Sequence, residues 1–103
     1  MKVLLVCSSG ASSGFIARNI RQAAVNRNVD LELDARSDSA IDDYINDIDL
    51  LLVAPHLSFM YDDLKSYAKE NGVHIAIVPK EAYGSMDGNA ILDFMLEEME
   101  KRG

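Results

Sequence analysis

Three short, almost wholly aliphatic runs govern what this chain can become. Lys2 to Cys7 (KVLLVC), Leu50 to Ala54 (LLLVA) and His74 to Val78 (HIAIV) are rich in branched side chains and carry almost no polar residue in their interiors. A strand that is apolar on both faces must be covered on both faces, which is the situation inside a parallel sheet. Val29 to Arg36 (VDLELDAR) reads differently. Its Val29, Leu31, Leu33 and Ala35 alternate with Asp30, Glu32 and Asp34, as an edge strand with one wet face should.

Between these runs the apolar period changes to that of a helix. Ile16, Ile20, Ala23 and Ala24 make one stripe, and Ile41, Tyr44, Ile45 and Ile48 a second. Met60, Leu64, Tyr67 and Ala68 make a third, stopped by Asn71 and Gly72, and Ile91, Leu92, Met95, Leu96 and Met99 a fourth. The order is β-α-β-α-β-α-β-α. Strands joined through helices run parallel with right-handed crossovers. The expectation is a single α/β domain over residues 1–103, one open sheet of four parallel strands with helices on both faces. Ligands in such sheets sit beyond the carboxyl ends of the strands, where the strand order switches.

Composition removes several functions. Lys and Arg number 10 against 17 Asp and Glu, a formal charge of -7. The one close basic grouping is Arg18, Arg21 and Arg27. A surface that displaces counterions from phosphates needs more cations than this, so nucleic acid is not an expected partner. The longest apolar run, Ile48 to Pro55, is broken by Asp49 and falls far short of the roughly 20 residues of a membrane span. The stretch after Lys2 ends too early for a signal peptide. A cytoplasmic location without direct membrane insertion is expected. One cysteine permits no internal disulfide, and two distant histidines give no zinc-site spacing, so neither metal nor cofactor is expected.

Chemistry concentrates after the first strand. Cys7 is followed by Ser8, Ser9, Gly10, Ala11, Ser12, Ser13 and Gly14, all small, and then by a helix. Small side chains let backbone amides close on a bound group. A helix N-terminus adds unpaired N–H groups and partial positive charge, and the serines add hydroxyl donors. The stretch reads as an anion cradle, with the Cys7 sulfur at its mouth and its thiolate favoured by the same field. The plain alternative is a small buried residue ending a strand, followed by serines that cap a helix. A cap needs one serine, and this stretch supplies four. Cys7 is therefore the candidate nucleophile or phosphoryl carrier.

A tyrosine-phosphatase loop, C-x-x-x-x-x-R, would place an arginine where Ser13 stands, and without it charge in a hydrolytic transition state goes unanswered. A small cysteine-dependent phosphatase-like enzyme is thus the rival reading. The stretch Cys7 to Ser13 (CSSGASS) resembles instead the phosphocysteine loop of the IIB subunits of sugar phosphotransferase systems, lactose/cellobiose type. Leu51 to Met60 (LLVAPHLSFM) resembles that family's third strand and Pro-containing loop, and Ala82 to Gly88 (AYGSMDG) its Tyr-Gly-x-x-Asp-Gly signature. The resemblance implies a phosphotransferase component. Cys7 would take a phosphoryl group from a phosphohistidine of the IIA subunit and pass it to a sugar held by the membrane IIC subunit. Cellobiose, chitobiose and lactose are all compatible, since the sugar is chosen by another chain. Amides of Ser8 to Gly14 would hold the phosphoryl oxygens. Gly14 and His56 depart from residues common in the family.

Of the remaining candidates, His56 follows the third strand and Tyr83 the fourth, so both belong at the edge of Cys7 as possible second-layer residues. Asp87 reads as the cap of the last helix. Phe59, Met60 and Tyr61 suit a docking rim, although periodicity turns Met60 inward. His74 starts its strand at the opposite edge and reads as structural.

Overall fold

The structure, a computed structural model, describes residues 1–7 and 11–102. Its strands are β1 (Lys2–Val6), β2 (Glu32–Arg36), β3 (Leu50–Val53) and β4 (His74–Ile77), and its helices α1 (Ala11–Asn26), α2 (Ile41–Tyr44), α3 (Tyr61–Glu70), α4 (Lys80–Gly84) and α5 (Gly88–Arg102). The strands form one parallel sheet in the order β2-β1-β3-β4. Register puts Leu5 beside Ala35 and Leu52, and Leu52 beside Ala76. Apart from Lys2 at the start of β1, the two central strands are wholly aliphatic and buried, as strands with neighbours on both sides and both faces covered should be.

Side-chain alternation sorts the core into two layers. Val3, Leu5, Leu50 and Leu52 pack with Ile16, Ile20, Ile91 and Met95 beneath α1 and α5. Leu4, Val6, Leu51 and Val53 pack with Ile41, Ile45, Leu64 and Ala68 beneath α2 and α3. Both termini of the crossovers are closed by chain reversals in the left-handed region. Asn28 (φ 56°) ends α1, with Val29 N–H donating to Ala24 C=O at 2.8 Å. Gly72 (φ 71°) ends α3, with Val73 N–H donating to Ala68 C=O at 2.9 Å.

Four expectations about element boundaries are corrected. β2 begins at Glu32 rather than Val29, because Val29 is used to close α1. The second crossover is not a full helix. It is a 3-10 turn over Asp38–Ala40 and the short α2, although Ile41 and Ile45 are buried as the stripe requires. The segment after β3 is a 3-10 helix, Pro55–Met60, started by its proline. α4 occupies Lys80–Gly84, which the sequence reading left outside any helix.

The basic grouping expected on α1 is explained by structure. Arg21 Nε donates to Leu33 C=O at 3.0 Å, and Arg27 pairs with Asp93 at 2.7 Å. These two cations tie α1 to β2 and to α5.

Candidate functional site

Cys7 follows β1 at the point where the sheet order switches: the chain goes from β1 to β2 on one side, then to β3 on the other. At such a point the flanking connections leave in opposite directions and open a crevice. The Cys7 backbone prolongs the sheet, its N–H donating to Arg36 C=O at 3.0 Å. The residue is 2 % exposed, and its Sγ lies 3.6 Å from the same Arg36 oxygen, a thiol-to-carbonyl contact.

α1 begins at Ala11. Ala11, Ser12 and Ser13 are thus its first turn, not loop, and Gly14 is a helical, exposed residue. This shortens the expected seven-residue loop. Serine and alanine are compatible with a first helical turn, and three such small residues show no apolar period to mark it. Amides of a first turn have no acceptor inside their own helix. Ser8, Ser9 and Gly10 lie outside the described residues.

The strand ends beside Cys7 bring in the other candidates. Pro55 starts the helix after β3 and places exposed His56 at this edge, while α4 after β4 places Tyr83 there. The two rings meet edge to face, 5.8 Å between centroids at 61°. Burial raises the Tyr83 hydroxyl above its ordinary value of 10.0, and the neighbouring charge of Cys7 raises it further, so the phenol stays protonated and able to donate. A cleft of about 520 Å³ opens here, lined by His56, Ser58, Lys80 and Tyr83 among others. Lys80 and Ser58 escaped the sequence reading. Their signal was positional: each lies a few residues past the end of a strand, hence at the same edge as Cys7.

The signature Ala82–Gly88 turns out to be a positioning device for that wall. Met86 takes a left-handed conformation (φ 53°), and Asp87 N–H donates to Ala82 C=O at 3.0 Å, which closes α4. Asn19 Nδ2 of α1 donates to Met86 C=O at 2.9 Å. Asp87 Oδ1 accepts from Ala90 N–H at 3.0 Å, capping α5 as expected. Gly88 lies so close to α1 that a Cβ there would fall 2.2 Å from Asn19 C=O.

Three large apolar side chains are left exposed on connections around this edge: Phe15 (56 %) in the opening turns of α1, Phe59 (79 %) after β3 and Met86 (40 %) after β4. Of the residues expected to form a rim, Phe59 projects outward, whereas Met60 and Tyr61 pack partly against the α3 layer. Among the described residues no group of three His, Cys, Asp or Glu could hold a metal ion.

The family model described as the lactose/cellobiose-specific IIB subunit of the PTS system matches residues 2–94. The chain belongs to this family. It is 31 % identical over 101 residues to a lactose-specific EIICB component of Staphylococcus haemolyticus, and 29 % identical over 100 residues to one of Staphylococcus aureus. These alignments take in 96 % and 95 % of the chain but 17 % and 18 % of the relatives, so the chain spans less than a fifth of the curated relatives it matches. Among solved structures, the lactose-specific IIB component domain from Streptococcus pneumoniae superposes with a TM-score of 0.85 at 25 % identity, covering 95 % of this chain and 96 % of that one. The cellobiose-specific IIB component of Borrelia burgdorferi does so with 0.81 at 25 % identity, covering 100 % and 94 %. The parallel four-stranded fold of this IIB chain is therefore that of its family. Among its described residues no helix is long and apolar enough to cross a membrane.

Proposed function

We propose that this IIB chain is a cytoplasmic phosphoryl relay with Cys7 as its carrier. The Cys7 sulfur attacks the phosphorus of a phosphohistidine on a IIA subunit. The P–N bond breaks as the S–P bond forms, and the proton given up by the thiol goes to the leaving imidazole. A hydroxyl of a lactose- or cellobiose-like sugar, held by the membrane IIC subunit, then attacks the same phosphorus. The S–P bond breaks, the proton of the sugar hydroxyl passes to the departing sulfur, and the thiol returns.

The observation that carries this reading is the place of Cys7, at the switch point of the sheet and ahead of the first turn of α1. That turn, Ala11 to Ser13, supplies amides without helical acceptors for the phosphoryl oxygens, together with the positive end of the helix. Ser8, Ser9 and Gly10 complete the cradle in this reading, and Gly14 closes it on the helix side. His56, Tyr83 and Lys80 bound the approach; the protonated phenol and the ammonium both suit an anion. Burial of Cys7 supports relay over hydrolysis, because a phosphoryl group on a sulfur that water hardly reaches survives until an acceptor is delivered. The Sγ contact to Arg36 C=O is given up when the sulfur turns to attack. Phe15, Phe59 and Met86 offer the apolar contact that a docking IIA or IIC surface needs.

The test is incubation with a phosphorylated IIA subunit followed by intact mass. One phosphoryl adduct on the wild type, absent from Cys7→Ser, is expected. An adduct that persists in Cys7→Ser would place the carrier elsewhere. Robust turnover of p-nitrophenyl phosphate by the chain alone would favour the phosphatase-like reading over the relay.

A further inference from the structure

The sheet has two edges, and they are built differently. β2 is guarded by its own charges, Glu32, Asp34 and Arg36. β4 reads HIAI; its four residues make it a short edge, but it carries no lysine, acid or proline, the side chains that guard an edge against pairing. His74 and Val78 direct their N–H groups to β3, donating to Asp49 and Val53 carbonyls at 3.2 and 2.9 Å. By the alternation of a ladder, Ile75 and Ile77 direct theirs the other way, to the open side.

A cleft of about 550 Å³ lies at the start of that open side, at His74 and Ile75, between α3 and α5. One wall is the α3 stripe Tyr61, Lys65 and Lys69, each four residues from the next and so on one helix face. The other wall is Glu98 and Lys101 of α5. Three of the five lysines of a chain with net charge -7 thus border one cleft that holds a single carboxylate. Lys65 and Lys69 are exposed, and Glu98 is engaged by Lys101 at 2.9 Å and His74 at 3.1 Å.

We propose that the open edge of β4 takes an acidic, extended segment of a partner polypeptide as a fifth strand. The backbone of Ile75 and Ile77 supplies the pairing groups, and Lys65, Lys69 and Lys101 select a segment with alternating carboxylates. The wall from Tyr61 to Lys69 is roughly 12 Å long at the helical rise, room for about four extended residues. Two copies of β4 are a poor match for each other, because their pairing would gather both sets of lysines along one seam.

The probe is a capped pentapeptide alternating glutamate and valine, titrated into the full chain by NMR. Amide exchange at Ile75 and Ile77 is expected to slow on saturation. Affinity should fall about tenfold in Lys65→Glu/Lys69→Glu, and about tenfold for the peptide N-methylated on its inward-facing amides. Equal binding of the N-methylated peptide, equal binding to the double variant, or no binding at millimolar peptide overturns the proposal. So does concentration-dependent self-association in sedimentation, which would give the edge to a second copy. Phosphoryl loading of Cys7, which follows β1 two strands away from β4, is measured separately, so failure of either idea leaves the other standing.

Discussion

Replacing Gly88 with alanine should cost this fold more than almost any other single methyl group. An ideal Cβ at Gly88 would stand 2.2 Å from Asn19 O, 2.4 Å from Asn19 C and 2.9 Å from Ile20 N. All three are backbone atoms of α1, so no side chain can rotate aside. Ordinary carbon–oxygen contact lies more than an ångström further out, and α1 and α5 must part by roughly that distance. A gap of about 1 Å forfeits up to half of the dispersion energy of the contacts that line it. The side chains in question, Ile16, Ile20, Ile91 and Met95, are the fully buried centre of that layer. Overpacking of this kind costs about 1–3 kcal/mol, and the better helix propensity of alanine returns less than 1 kcal/mol. A net loss of about 2 kcal/mol, or roughly 8–16 °C in Tm for a domain of this size, is expected from urea and thermal melts. Gly84→Ala is the control, since a Cβ there meets nothing within 4 Å. A Gly88→Ala variant within about 0.5 kcal/mol of wild type would refute the close-approach account, because that is the range of a neutral surface change.

Other consequences are checked as simply. Met86→Gly relieves a left-handed residue that carries a Cβ, and should be about 0.5 kcal/mol more stable by urea melt while loading from phosphorylated IIA slows; loading at the wild-type rate would remove Met86 from the docking rim. Burial would raise the Glu98 carboxyl, but its bonds to Lys101 and His74 outweigh burial and hold it below 4.5. A folded-state value below the unfolded one means that this stability is present above pH 4.5 and is lost as pH falls through the folded value. Glu98→Gln should therefore flatten the acid limb of the stability profile and cost about 1 kcal/mol at pH 7, read from urea melts across pH. An acid limb as steep as that of the wild type would show that Glu98 does not set it.

The strands and the faces of the helices were legible, and the lengths of the connections were not. Leu4, Leu5, Leu51 and Leu52 announce a doubly covered sheet because nothing else tolerates consecutive buried leucines in so short a run. The stripe Ile41, Tyr44, Ile45 correctly names what faces the core. Periodicity reports a face, however, and one helical turn satisfies it as well as three do. The missed α4 and the 3-10 helix after β3 share a cause. Both are short and follow or begin with a proline, and their stability comes from docking at the sheet edge rather than from their own residues. At the site, Cys7, His56 and Tyr83 were placed at one edge by topology alone. The Arg36 carbonyl beneath the sulfur is a backbone group, and no side-chain pattern can foretell it.

The signature Ala82–Gly88 shows why residues that look catalytic need not touch the chemistry. Its second glycine, Gly88, is required by a helix that passes 2.2 Å from where a Cβ would stand, and its aspartate by the capping of α5. Tyr83 is the residue of this signature that feels the charge of Cys7, and the other residues fix the turn that carries it. Asn19 ties that turn to α1, the same helix whose first turn follows Cys7. The wall and the turn that follows Cys7 therefore hang from one helix, and a shift of α1 moves both together. For the proposed relay, which would meet two partners in succession, that shared support would keep the Cys7 site and its wall in fixed relation while different surfaces come and go.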